Sequence, residues 1–197
     1  MNITQITAVV MQTLSILTLL GGVWSVITLL LLIIHSFRRK NPVGLIERYV
    51  KFFGSKAYIG GFIVALTAMS GSLYFSNVAM YTPCVLCWYQ RIAMYPLVAL
   101  FLISLIKRAR HITDHVLVLT GIGAVIASFH YYEQITNTQI VTCGVVGFSQ
   151  SCNEKFFLTF GYITIPMMAL TAFVMIILLM VMSKCGDKKA VKPLLIA

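Results

Sequence analysis

The sequence predicts an all-α integral membrane protein, a bundle of five spanning helices. Of its 197 residues 59% are hydrophobic and only 10% are charged, too little polar surface to wrap a soluble core. The apolar residues also fall in long runs separated by short charged stretches, as in helices that cross a bilayer. The net charge of +10 is gathered in those stretches, where it reports orientation and favours anionic headgroups. No aromatic-interleaved basic surface remains for a nucleic acid, and none is expected as a partner.

The runs cover Ala8–Ile34, Ala57–Met80, Val85–Ile106, His115–Tyr132 and Phe157–Met182. Most reach the roughly 20 residues that a helix needs to cross a core about 30 Å thick. The fourth is short and must borrow its ends. None carries a charged residue in its middle, where ion and proton transporters keep ionisable groups.

Loop charge alternates along the chain. Arg38, Arg39, Lys40, Arg48, Lys51 and Lys56 follow the first run; Lys107, Arg108 and Arg110 follow the third; Lys184, Lys188, Lys189 and Lys192 follow the fifth. The other connections hold only Arg91 and Lys155, and no Lys or Arg precedes the first run. The positive-inside rule then puts the N-terminus outside and the C-terminus in the cytoplasm. The first run lacks a basic leader, is too long for a signal peptide and is stopped by Arg38-Arg39-Lys40, so an uncleaved span is expected.

After it, Asn41-Pro42 reads as a cap and first-turn proline opening a short helix. Leu45, Ile46, Tyr49 and Phe53 would form its apolar face, Glu47, Arg48 and Lys51 the polar one, and Gly54 its stop. Such a helix would lie on the inner leaflet; a solvated basic loop is the alternative. In the second run small residues recur four apart, Thr67 to Gly71 and Ala68 to Ser72, a face that lets helices approach closely in lipid. Pro166 is expected to kink the last span.

Four of the five cysteines fall in the two outer connections: Cys84 and Cys87 in one, Cys143 and Cys152 in the other. Cys185 sits alone among lysines at the inner end and is read as a free thiol without function. An even number outside and an odd one inside is what redox compartments predict.

Cys84-Val-Leu-Cys87 is a CxxC, a spacing shared by redox pairs and zinc sites. Pro83 precedes it and a span begins at or just after it, so Cys87 falls in a first helical turn. There free N–H groups and the helix dipole stabilise a thiolate, the species that attacks disulfides. Arg91, one turn on, can stabilise both that thiolate and an anionic acceptor beside it; the alternative is an arginine snorkelling to headgroups. Trp88, Tyr89, Tyr131, Tyr132, Phe156 and Phe157 flank the span ends as interfacial markers. They put the CxxC at the membrane surface, within reach of a soluble protein and a lipid-soluble oxidant alike. Gly144 and Gly147 make the second connection flexible, as suits a disulfide that swings between partners. A purely structural bridge is the alternative there, and zinc held by all four thiols is a weaker one.

Cys84-Val-Leu-Cys87-Trp88-Tyr89-Gln90-Arg91 resembles the signature of the DsbB/BdbC disulfide-forming membrane proteins, and Gly161 to Phe173 resembles that family's last span. The likeness covers about Ala57 to Met182, and the close spacing of Cys143 and Cys152 is nearer the BdbC-like branch. It implies residues 57–183 as a four-helix redox domain, 1–56 as an extra N-terminal transmembrane helix with a basic cytoplasmic connection, and 184–197 as a basic cytoplasmic tail. The resemblance further implies a protein of the bacterial cytoplasmic membrane that reoxidises a DsbA-like thioredoxin-fold thiol oxidase and passes the electrons to a membrane quinone, ubiquinone or menaquinone.

In that scheme the partner attacks the Cys143–Cys152 disulfide at Cys143, Cys152 passes the electrons to the Cys84–Cys87 disulfide at Cys84, and Cys87 engages the quinone beside Arg91. His130 lies where the family places a quinone-side His; interfacial packing is its alternative. Gln90 stands where the family commonly has Glu and is assigned no role, nor are His35, His111 and His115. No metal is expected. Two rival functions stand beside this one. A vitamin K epoxide reductase-like enzyme would carry its CxxC after the loop cysteines, the reverse of the order here. A membrane metal-binding or assembly subunit would use the four thiols as ligands.

Overall fold

The computed structural model describes residues 2–37, 44–107, 112–138, 152 and 155–190. Six helices occur there: α1 (Ile3–Phe37), α2 (Gly44–Ser55), α3 (Ala57–Asn77), α4 (Val85–Lys107), α5 (Thr113–Thr136) and α6 (Ile165–Ala190). All but the short α2 are long and apolar enough to cross a membrane. Among the described residues, strand-like pairing is confined to one isolated bridge, Thr159 with Ile163. The chain is a multi-pass helical membrane bundle.

α6 is its axis. It packs against α1, α2, α3 and α5, while α3–α4 and α4–α5 contacts close the ring. Phe173, Ile176, Met180 and Met182 of α6 are fully buried. Leu, Ile and Val side chains on the outer faces of α1 and α5 stay exposed, as lipid-facing residues should. The hydroxyls of Thr13, Thr18 and Ser25 on α1 bond back to carbonyls four residues earlier, so no donor is left bare in hydrocarbon.

The helix ends correct several expectations. α5 runs on past Tyr132 and takes in Glu133 and Gln134, both buried, before Asn137 stops it in a left-handed cap (φ 53°). α6 begins at Ile165 rather than Phe157. The apolar stretch before it is a turn: Thr159 and Ile163 exchange backbone hydrogen bonds, and Phe160 and Gly161 take positive φ of 53° and 79°. Pro166 is therefore the second residue of α6, where the N–H it lacks has no helical acceptor, and it opens the helix instead of kinking it. The interior proline is Pro96 of α4.

α2 forms as expected, though Asn41 and Pro42 lie outside the described residues. Ile46, Tyr49 and Phe53 pack on the core and Val50 is buried within it, whereas Leu45 is 77% exposed. Gly54 does not stop the helix. It lies inside α2, where a Cβ would come within 2.7 Å of the Met182 carbonyl oxygen; the missing side chain lets the backbones of α2 and α6 touch. At the same end of the bundle Lys184 of α6 pairs with Asp114 of α5.

Candidate active site

At the other end, the chain leaves α3, passes Pro83 and enters α4 at Cys84. The Cys84 carbonyl accepts the Trp88 N–H at 3.1 Å, and the Cys84 sulfur accepts the Cys87 N–H at 3.3 Å. Cys84 thus occupies the N-cap, doing with sulfur what Ser or Asp does with oxygen. Cys87 follows in the first turn. Both are free thiols, and Cys84 donates to the Cys87 sulfur at 2.9 Å. That bond, with burial, pushes the Cys84 thiol well above its ordinary range, against the opposing influence of His130.

The two sulfurs face different surroundings. Cys84 is buried in a small cluster with Leu86 and Cys152, against which Ile126 and Phe129 of α5 pack. Over it stands His130 of α5, only 1% exposed. Its Nε2 lies 3.1 Å from the Cys152 carbonyl oxygen and 3.6 Å from the Cys84 sulfur, and its Nδ1 lies 2.9 Å from the Gln90 side-chain nitrogen. A carbonyl can only accept, so Nε2 carries the proton. In the neutral ring Nδ1 then accepts from the Gln90 amide. Gln90 sets the tautomer that points an N–H at Cys152 and Cys84.

Cys87 packs against that same cluster and also borders open space. With Gln90 and Arg91 it opens onto a cavity of about 290 Å³ whose remaining walls come mostly from apolar side chains of α1, α3 and α6. Aromatic rings cover one end. Phe156 stacks on Tyr81 (centroids 4.6 Å apart), Tyr81 on Phe75 (5.9 Å), and Phe157 leans on Phe75 (5.7 Å). Phe156 and Phe157, both half-buried, thus pack against rings of the α3–α4 connection and α3. Arg91 is held inward: it donates to the Ser72 carbonyl at 3.1 Å and lies 5.2 Å from the centre of the Trp88 ring.

The structure thus gathers Cys84, Cys87, Arg91, His130 and Cys152 at one end of the bundle. Cys152 is disulfide-bonded; Cys143 lies outside the described residues. Cys185 is a free thiol packed on the core. His130, which the family resemblance puts beside the quinone, lies against the Cys152 carbonyl and the Cys84 sulfur and is not among the residues that line this cavity. Gln90, to which the sequence assigns no role, is the side chain that bonds His130. The signal for it was an amide within an apolar run, since a polar group on a buried face must find a partner.

A soft metal is the other ligand such a group suggests, because the Cys84 and Cys87 sulfurs and a His130 nitrogen lie within 4.8 Å of one another. Two features oppose it. The nitrogen nearest the sulfurs spends its proton on the Cys152 carbonyl, leaving no lone pair for a metal. Cys152, the further thiol needed for a closed site, is in a disulfide.

Known proteins bear on this arrangement. Residues 55–183 match the family model described as disulfide bond formation protein DsbB. The chain is 43% identical over 121 residues to the probable disulfide formation protein C of Halalkalibacterium halodurans, covering 60% of this chain and 85% of that one. It is 42% identical over 130 residues to disulfide bond formation protein C of Bacillus subtilis, covering 64% and 90%. A prophage-derived disulfide bond formation protein B of B. subtilis is 36% identical over 129 residues, covering 66% and 83%. No solved structure matches. With its free CxxC at a helix start, its disulfide-bonded Cys152 close by and a family match over most of its length, the chain belongs to the DsbB family of disulfide-forming membrane oxidoreductases.

Proposed function

We propose that this protein reoxidises an extracytoplasmic, DsbA-like thioredoxin-fold thiol oxidase and delivers the electrons to a membrane quinone. One observation carries the reading: Cys84 is buried in a cluster with Cys152, while Cys87, packed against that cluster, also lines an apolar cavity beside Arg91. A dithiol that must exchange with a protein on one side and a lipid-soluble acceptor on the other needs that division.

The exchange balances as two-electron steps. The partner's dithiol reduces the Cys143–Cys152 disulfide by attack at Cys143, and the partner leaves oxidised. The Cys152 thiolate attacks Cys84 of the Cys84–Cys87 disulfide, forming a Cys152–Cys84 bond and releasing Cys87. Cys143 then attacks Cys152, restoring the loop disulfide and releasing Cys84. Free Cys84 and Cys87 beside a disulfide-bonded Cys152 is the state reached after that internal step.

His130, oriented by Gln90, offers its N–H to the sulfur at Cys84 as the bond there breaks. With Cys84 holding its proton, Cys87 is the sulfur free to face the acceptor, and Arg91 places a fixed positive charge beside it. A quinone, when bound, takes up two electrons and two protons. The cavity sits at the small end of the usual range for small-molecule sites, about 300–1,000 Å³, a fit for a quinone ring rather than a whole isoprenoid tail.

The loop charges support an outside N-terminus and redox end, with the C-terminus in the cytoplasm. They support the division into 1–56, 57–183 and 184–197 as spanning lead-in, redox core and basic tail. A cysteine placed at exposed Asn137 should react with an impermeant thiol reagent on intact cells or spheroplasts while Cys185 stays unlabelled; the reverse pattern would invert the model. The decisive test of function is quinone reduction by the purified protein, driven by a reduced thioredoxin-fold oxidase. A protein that retains a stoichiometric metal and reduces no quinone would overturn the proposal.

A further inference from the structure

α1 lies wholly outside the segment that matches the family, which begins at residue 55. So little of the two Bacillaceae-type C proteins is left unaligned that a segment of α1's length does not fit in it. In a chain already anchored by four other spans, an extra span is not needed to hold the protein in the membrane. Its packing gives it another use.

α1 is fixed to the bundle at three heights. Near its start Thr7 shares a hydrogen bond with Tyr74 of α3 (3.2 Å), and Met11 accepts one from Tyr81 (3.7 Å). At its middle Gly21 meets α6 so closely that a Cβ would lie 2.6 Å from the Met175 sulfur. Toward its end Thr28 shares a hydrogen bond with Tyr49 of α2 (2.7 Å). Ser15, Gly21, Ser25 and Thr28, all small, are the buried residues of α1. In lipid, apolar burial gives helices no reason to associate, so close packing of small residues and polar contacts do that work. This is a seated helix rather than a tether.

Held so, α1 turns Leu14, Leu17 and Thr18 onto the same cavity that Cys87 and Arg91 enter from α4. Leu14 also fills the space above Gly71 of α3, where a Cβ would come within 3.0 Å of it. We infer that α1 is a wall of the acceptor site: Leu14, Leu17 and Thr18 set the space offered to the hydrophobic ring of a lipid-soluble quinone and so help determine which quinone is used. The inference rests on the quinone reading proposed above and adds to it a part of the chain that the family match does not include.

The test uses the full-length protein with a quinone carrying a photoreactive azido group on its ring. Irradiation should label the α1 peptide spanning Leu14 to Thr18 along with α4, and excess unlabelled quinone should suppress both. Thr18→Trp and Leu14→Trp should raise the quinone KM by about tenfold or more, because a packed wall does not accept an added ring. Val26→Trp, on a 59% exposed position of the same helix that does not line the cavity, should leave KM unchanged. Single-turnover reduction of the preformed disulfides by the partner should be normal in all three. Competed label on α4 alone, with both wall variants at wild-type KM, would overturn the role of α1 and leave the quinone reading standing. Absence of both competed labelling and quinone reduction in the wild type would remove the two together.

Discussion

Cys84 and Cys87 are one helical turn apart and share one buried cluster, yet only Cys87 also borders a cavity. Around Cys84 the contacts are to protein: Cys152, the His130 ring and, through it, the Gln90 amide. Cys87 packs on the edge of that cluster and also borders a cavity bounded by hydrocarbon, aromatic rings, the Gln90 amide and one guanidinium. On the proposed function, the difference is what would let a single dithiol serve two unlike reactants. Exchange with another disulfide needs a donor near the sulfur that is attacked. Transfer to a lipid-soluble acceptor needs room and a fixed charge.

The comparison is open to being broken. The largest effect should come from Cys152→Ala, which abolishes the loop disulfide and leaves Cys143 a lone thiol. Steady-state turnover should cease, and added oxidised partner should be caught when the Cys143 thiolate attacks its disulfide and releases one of its two sulfurs as a thiolate, a mixed disulfide seen on a non-reducing gel. If no adduct forms, the order of attack is wrong or the loop bridge is only structural.

His130→Ala should act on the Cys84 side alone. Loss of a hydrogen bond to a charged sulfur, worth about 1.5–3 kcal/mol, should slow internal exchange by roughly ten- to a hundredfold. The quinone KM should hold. A change in KM with normal exchange would return His130 to the acceptor, where the sequence first placed it.

Arg91→Ala should do the opposite. A fixed charge near a partly desolvated anion contributes about 1–3 kcal/mol, so quinone affinity should weaken roughly five- to a hundredfold. Arg91→Lys should recover part, and single-turnover oxidation of the partner should be unaffected. If Arg91→Ala lowers only membrane insertion, with normal turnover per inserted molecule, the residue is an interfacial anchor.

Smaller effects should sharpen the boundary between the two sides. Gln90→Ala removes one neutral hydrogen bond, about 0.5–1.5 kcal/mol, and should slow exchange about two- to tenfold by freeing the His130 tautomer. Gly123→Ala works from behind the cavity, since its Cβ would stand 2.3 Å from the Phe173 ring. The ring must shift, at a cost of about 1–3 kcal/mol in stability, measurable as a lower unfolding midpoint with a modest rise in KM.

Much of this was legible in the sequence, and the misses have physical causes. Hydropathy finds the spans because a bilayer demands unbroken apolar runs. It misplaces the start of α6 because Phe157 to Thr164 are apolar without being helical; the turn is announced only by Gly161, easily lost among so many small residues. Pro166 was misjudged for the same reason, its meaning depending on where the helix begins. The CxxC and Arg91 are readable because their geometry lies within one helical turn. The Gln90–His130 contact is not, for it joins residues 40 positions apart through the packing of α4 on α5. Gly54 reads as a stop until α6 is seen against it.

One consequence of the single turn between the sulfurs concerns inheritance. Cys84 is packed with Cys152 and with residues of α5, whereas the cavity that Cys87 lines is walled chiefly by α1, α3 and α6. A change that suits the protein to a new client oxidase therefore falls on different codons from one that suits it to a new membrane lipid chemistry. On the proposed function, Gln90 is the residue beyond the two sulfurs through which a change on one side would reach the other, since it lines the cavity and also holds His130.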